Sequence, residues 1–169
     1  IGFTVNNVTV GTSGVIGNHR RGGPAYSHRP STAVGAVGTP RTWTRSGTTD
    51  APTTSATSGS PAVMPEMSLT IDAHTAPILI TFTTGFAHNT LGGVAVFGIR
   101  TTPGSVIEFI EIQTPVANYV QHARVQALWT PPQPGRYTIE GVWYVNNGAH
   151  TLTGRFTFRK ITAVELGTA

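Results

Sequence analysis

The chain reads as an all-β protein: an antiparallel β-sandwich of the jelly-roll type carrying an extended, mostly irregular N-terminal arm. Three observations lead there. No segment holds a 3.6-residue hydrophobic period, whereas several runs alternate with period two. Those runs are short and are punctuated by turn residues, from a total of 20 Gly and 12 Pro. The alternation begins only near residue 63, and what precedes it is too poor in apolar side chains to build a core.

Taken in order, Ile1–Val10 could form one strand, although Asn6-Asn7 interrupts it, and Gly11–Gly17 is turn-rich. Residues 18–60 carry no hydrophobic period, and Ser46–Pro61 is almost entirely Ser, Thr, Gly, Ala and Pro. Ordering such backbone costs about 1–2 kcal/mol per residue with little burial to offset it. Residues 1–62 are therefore expected to be an arm and linker that take their order from another molecule, and residues 63–169 the sandwich.

In the second stretch Met67–Ile71 reads as a strand, followed by the clean alternation Ile78, Ile80, Phe82, Thr84, Phe86. Val94–Arg100 and Val106–Ile112 flank Thr101-Thr102-Pro103-Gly104, which suits a type II turn. Asn118–Trp129 sets Ala123, Val125, Ala127 and Trp129 on one face, with His122, Arg124 and Gln126 on the other. The corner Pro131-Pro132-Gln133-Pro134-Gly135 launches Arg136–Val145, where Tyr137, Ile139, Gly141 and Trp143 share a face. Asn146-Asn147-Gly148 reads as a hairpin turn, and Thr151–Ile161 with Thr162–Leu166 closes the chain. Phe82, Phe86, Phe97, Phe109, Trp129, Tyr137, Trp143, Phe156 and Phe158 are the expected large core side chains.

Charge is sparse, at 11% of residues against roughly 25% in ordinary domains. Its placement is lopsided. The net +4 resides in residues 1–60, where Arg20, Arg21, Arg29, Arg41 and Arg45 face Asp50 alone, while six bases and six acids balance over 61–169. There is no Cys, which excludes disulfides and thiolate metal sites. No run approaches the ~18 apolar residues of a membrane-spanning helix, so no membrane partner is expected.

The stretches Pro77–Thr83, Val94–Arg100, Pro134–Ile139 with Trp143, Arg155 and Ile161–Leu166 resemble the compact jelly-roll heads of bacteriophage virion proteins, which are similar in fold to the trimeric tumour-necrosis-factor and C1q domains. The likeness covers roughly the last half of the chain. It departs at Arg100-Thr101-Thr102-Pro103-Gly104, where such heads often carry Asp-Gly. The resemblance implies a trimeric head on an extracellular particle, with other virion proteins, capsid or fibre subunits, as partners.

Catalytic constellations are not apparent. No Gly-x-Ser-x-Gly elbow exists, and Glu108 and Glu111, three apart on one strand, fall on opposite faces. Solvated strand-face carboxylates are the favoured reading, with no enzymatic activity, no cofactor and no metal site. The histidines His19, His28, His74, His88, His122 and His150 show no ligand spacing, although His74, His88 and His150 fall in or near loops and could meet in space. Arg20, Arg21, Arg29, Arg41, Trp43 and Arg45 are the candidates for anchoring the arm on acidic groups of a neighbouring protein, because guanidinium pairs carboxylates bidentately. Too few bases, without Lys, stand in the arm to suggest nucleic acid. Tyr26, Tyr119 and Tyr144 are candidate surface contacts, for a cell-surface glycan among others.

The reading is thus a non-enzymatic virion structural protein, a capsid decoration or fibre/spike head held by its arm, a homotrimer, and a receptor-binding surface in one version. The alternative is a carbohydrate-binding sandwich module from a secreted multidomain protein, for which 46–61 would serve as the linker.

Overall fold

The computed structural model describes residues 40–49 and 51–167, the side chains of Phe156 and Thr157 excepted. Its elements are β1 (Thr42–Ser46), β2 (Thr53–Thr54), β3 (Ala62–Ala73), β4 (Ile78–His88), β5 (Val94–Thr102), β6 (Val106–Gln113), β7 (Val120–Trp129), β8 (Gly135–Val145) and β9 (Leu152–Glu165). No helix occurs among the described residues, so none is long and apolar enough to cross a membrane.

Two antiparallel sheets result. The first has the order β1-β9-β4-β7, with β2 also on β9; the second has the order β3-β8-β5-β6. The topology follows from one long chain reversal about Pro103-Gly104. Phe97 pairs with Ile110, Phe82 with Val125, Leu69 with Ile139 and Trp43 with Ala163, each pair symmetric about that turn to within a residue. The folded ribbon then rolls up, and β9 joins β4 while β8 joins β5. This is the nested double Greek key of a jelly roll.

The core lies between the sheets. Period-two alternation aims Ile78, Ile80, Phe82 and Phe86 of β4 at Phe97 and Ile99 of β5 and at Ile139 and Trp143 of β8, all fully buried. Phe86 and Phe97 touch with ring centroids 4.6 Å apart. As expected, Tyr137, Ile139 and Trp143 share the core face of β8. The proline corner carries the chain from the first sheet into the second, and the Tyr137 hydroxyl ties it down by donating to the Gln133 carbonyl at 3.0 Å.

Several expectations are corrected. Asn146-Asn147-Gly148 is not a hairpin turn: β8 and β9 belong to different sheets, because β8 is already flanked by β3 and β5 and β9 by β1 and β4. Gly104 sits at φ 145°, away from the ~80° of a type II turn. Phe109 and Phe158 are not core residues; they are 55% and 48% exposed on the outer faces. Trp129 is only partly buried. The side chain of Phe156 and the reading of Ile1–Val10 as a strand lie outside what is described. Finally, β1 and β2 come from the stretch 1–62 that reads as arm. Their edge positions explain why they need so little apolar sequence, since β9 supplies the hydrogen-bonding partner, Trp43 packs on the core and Thr54 is buried.

Candidate functional site

Two regions concentrate the unusual chemistry: the seat of β1, where the arm begins, and the loop end opposite.

Strand β1 is fastened at both ends. At its start the Arg41 Nε donates to Glu165 Oε2 at 2.6 Å, and the Glu165 amide donates to the Arg41 carbonyl at 2.9 Å. His74 joins them, its Nδ1 lying 2.7 Å from Arg41 Nη2 and its backbone amide donating to Glu165 Oε1 at 3.3 Å. The Arg41 hydrogen bond holds the Glu165 carboxyl below the usual range although burial opposes it. Arg41 also lies over the Trp43 ring, 5.0 Å from its centroid, while the ring packs on the core. Arg45 reaches the Ser68 carbonyl of β3 at 3.4 Å.

Past the other end of β1, Glu66 stands at φ 66° in an irregularity of β3 between Val63 and Ser68. Its carboxylate accepts from the Thr48 hydroxyl and amide, both at 2.6 Å, and from the Thr49 amide at 2.8 Å. The Thr48 hydroxyl, with these two amides, lowers its pKa to about 2. The fully buried Arg159 completes the latch, its Nη2 donating to Glu66 Oε2 at 3.0 Å and to the Thr49 carbonyl at 2.8 Å. Arg41, Trp43 and Arg45 are thus engaged within the chain at the base of the arm. Arg20, Arg21, Arg29 and Tyr26 lie outside the described residues.

At the far end, the β4–β5 loop (89–93), the β6–β7 loop (114–119) and the β8–β9 loop (146–151) are bonded together. The Thr114 amide donates to the Gly93 carbonyl and the Gly92 amide to the Thr114 carbonyl, at 2.9 and 2.8 Å. The Asn118 amide donates to the His88 carbonyl at 2.7 Å, and the Asn89 amide to the Thr151 carbonyl at 3.1 Å. Leu91, Val116 and Tyr119 project from these loops, 68%, 55% and 62% exposed.

Beneath them His88 and His150 meet edge to face, 5.2 Å between centroids, as their loop positions allowed; His74 is at the other end of the sandwich. The Thr90 amide donates to His88 Nδ1 at 3.0 Å, which places the proton of the neutral ring on Nε2. Burial pushes the His88 imidazole below its ordinary pKa, and the neighbouring His150 adds to this. His88 Nε2 and His150 Nδ1 are buried with no partner among the described residues. Two imidazoles do not make a metal centre, and no group of three or more His, Cys, Asp or Glu side chains is gathered among the described residues. Glu108 and Glu111 stand opposite Ile99 and Val96, on different faces, as their spacing requires. Tyr144 is half-buried on the outer face of the second sheet, opposite Val96, where burial and then Glu111 raise its pKa.

No protein-family model and no curated protein matches the chain. Solved structures do. A chain in the structure of infectious bursal disease virus, Gt strain, superposes with TM-score 0.52 at 13% identity, over 85% of this chain and 36% of that one. The VP2 subviral particle of the same virus gives TM-score 0.44 at 13% identity, over 86% of this chain and 42% of that one. An enzymatically active domain of tailspike protein 4 of bacteriophage CBA120 gives only 0.28 at 15% identity, over 72% of this chain and 19% of that one. This chain thus spans less than half the length of each, and the first likeness establishes a shared fold.

Proposed function

We propose that the chain is a non-enzymatic virion structural subunit, a jelly-roll head that assembles with copies of itself and with other virion proteins through its two ends. The observation that carries this is the loop end. Three large apolar side chains, Leu91, Val116 and Tyr119, stand exposed on loops that hydrogen bonds hold in place. Preorganised apolar surface of this kind marks a protein interface. The seat of β1 supplies the second contact. A strand latched by Glu165 before it and Glu66 after it gives the arm a fixed point of departure. Residues 1–39, with Arg20, Arg21 and Arg29, then reach acidic groups on a neighbour, which raises avidity without enlarging the head.

A homotrimer is the expected unit, as the resemblance to trimeric heads implies. The same two ends would serve a shell subunit, a capsid decoration or a fibre head that binds a receptor glycan through Tyr119. Native mass spectrometry with electron microscopy tests the reading. Closed oligomers are expected, and Leu91→Asp with Tyr119→Asp shifts them to monomer. A wild-type chain that remains monomeric up to its solubility limit, yet binds polysaccharide, would replace the proposal with a carbohydrate-binding module.

A further inference from the structure

The charges of the sandwich are balanced along the chain but not across the fold. On the outer face of the first sheet, Lys160 of β9 and Arg124 of β7 flank Thr83 of β4. With strands about 4.8 Å apart, their Cα atoms are roughly 10 Å from each other. In the next row Arg155 and His122 flank Gly85. No Asp or Glu occupies an outward position of β1, β4, β7 or β9. The carboxylates are elsewhere: Asp72, Glu111 and Glu140 face outward from the second sheet.

An aromatic ring is set among these cations. Strand β9 gains extra residues between Arg155 and Lys160, which drops Phe158 onto the sheet over Gly85. A Cβ on Gly85 would lie 2.8 Å from the ring and 3.1 Å from the Phe158 Cβ, so only glycine lets the phenyl lie there. The ring packs edge to face with His122, centroids 4.7 Å apart, and remains 48% exposed. The Arg155 Nε is buried without an acceptor among the described residues.

We propose that this face is a platform for single-stranded nucleic acid. A flat surface with cations spaced for a sugar–phosphate backbone and an exposed aromatic between them is what such strands bind: charge tracks the backbone, and a base stacks on the ring. The outer face of a second copy is a poorer match. Two of its three outward carboxylates are already opposed, Glu140 by Arg100 at 2.8 Å and Asp72 by Arg136 across the strand pair, which leaves Glu111 alone to meet the cations. A sulfated glycan would satisfy the cations but offers no π face to Phe158.

The test uses the full chain and a fluorescein-labelled oligouridylate, followed by anisotropy between about 50 and 200 mM salt, where counterion release is steep. Three phosphate contacts give a log–log salt slope of about −2, and Arg124→Gln or Lys160→Gln each flattens it by about 0.7. Phe158→Ala weakens the oligouridylate about tenfold or more and leaves inorganic polyphosphate binding unchanged, whereas Phe158→Tyr retains affinity. His122→Ala gives a second reading of the stack should Phe158→Ala destabilise the fold. Arg20, Arg21 and Arg29 changed together to Gln leave the Phe158 effect in place.

Three results would overturn the idea. The arm variant alone removes all binding; polyphosphate and oligouridylate bind alike with Phe158→Ala moving neither; or Arg124→Gln and Lys160→Gln abolish self-association in a chain that never binds the oligomer, which would assign the face to a second copy. The measurement needs no assembled particle, so a monomer that binds the strand would sink the assembly proposal and keep this one.

Discussion

Gly93→Ala gives a direct measure of how tightly the loop end is built. Gly93 is buried, and a Cβ placed on it would fall 2.0 Å from His88 Cε1, 2.5 Å from Nε2 and 2.6 Å from Nδ1. The backbone has little room to retreat, since the Gly93 carbonyl accepts from Thr114 at 2.9 Å. The imidazole must therefore turn, and it gives up the 3.0 Å bond from the Thr90 amide. Overpacking of a full core costs about 1–3 kcal/mol, and the lost hydrogen bond about 0.5–1.5 kcal/mol. A total of about 2–4 kcal/mol follows, or a fall in Tm of roughly 5–15 °C for a chain of this size. Urea titration followed by tryptophan fluorescence measures it. The decisive form is a double-mutant cycle with His88→Ala, because the methyl then has space. The two changes should couple by about 1 kcal/mol or more, the pair being less harmful than the sum. Gly93→Ala within about 0.5 kcal/mol of wild type, or additive with His88→Ala, would refute the packing described.

Other expectations follow from the same geometry. Phe97→Ala should cost about 3–5 kcal/mol and Phe109→Ala under about 1 kcal/mol, since the first is fully buried and the second 55% exposed; equal losses in urea titration would contradict the burial. The depressed carboxyls of Glu66 and Glu165 stabilise the fold above their ordinary pKa near 4.5 and lose that contribution as pH falls through their folded values, about 2 for Glu66. Thermal melts from pH 5 down to about 2 should therefore fall less steeply in Glu66→Gln. His88 titrates the other way in charge but with the same sign in stability. Its folded pKa lies below the ordinary 6.5, so the unfolded chain binds more protons and stability declines as pH drops below about 6.5; replacing His88 with Gln should remove that part of the slope.

The strands were legible in the sequence because period-two alternation is a local property. A one-residue error would turn Ile80 and Phe82 outward, so β4, β5, β7 and β8 declare themselves within their own residues. The reversal about Pro103-Gly104 was also within reach, since a Pro-Gly turn lies midway between matching strands. What local pattern cannot state is which strand lies beside which. Asn146-Asn147-Gly148 carries a hairpin signature, yet both neighbouring strands already had their hydrogen-bonding edges filled, and the chain crossed between sheets. Strand β1 was invisible for the complementary reason: an edge strand needs one partner and one anchor, here β9 and Trp43, and shows no alternation of its own.

Burial of single residues depends on the same information. Phe109 and Phe158 have the side chains of core residues, but one sits on an outer face and the other in an irregularity of β9, and only pairing settles that. Charge shows the division most plainly. Residues 61–169 sum to zero in the sequence, and any charge a partner would meet there is created by rolling the ribbon. The roll sends Arg124, Arg155 and Lys160 to one face and Asp72, Glu111 and Glu140, together with Arg100 and Arg136, to the other, and buries Arg159 against Glu66. Composition and alternation determine that this chain forms a sandwich. Which surfaces it presents is decided by long-range pairing, because a side chain's neighbours across a sheet are set by strands far away in the chain.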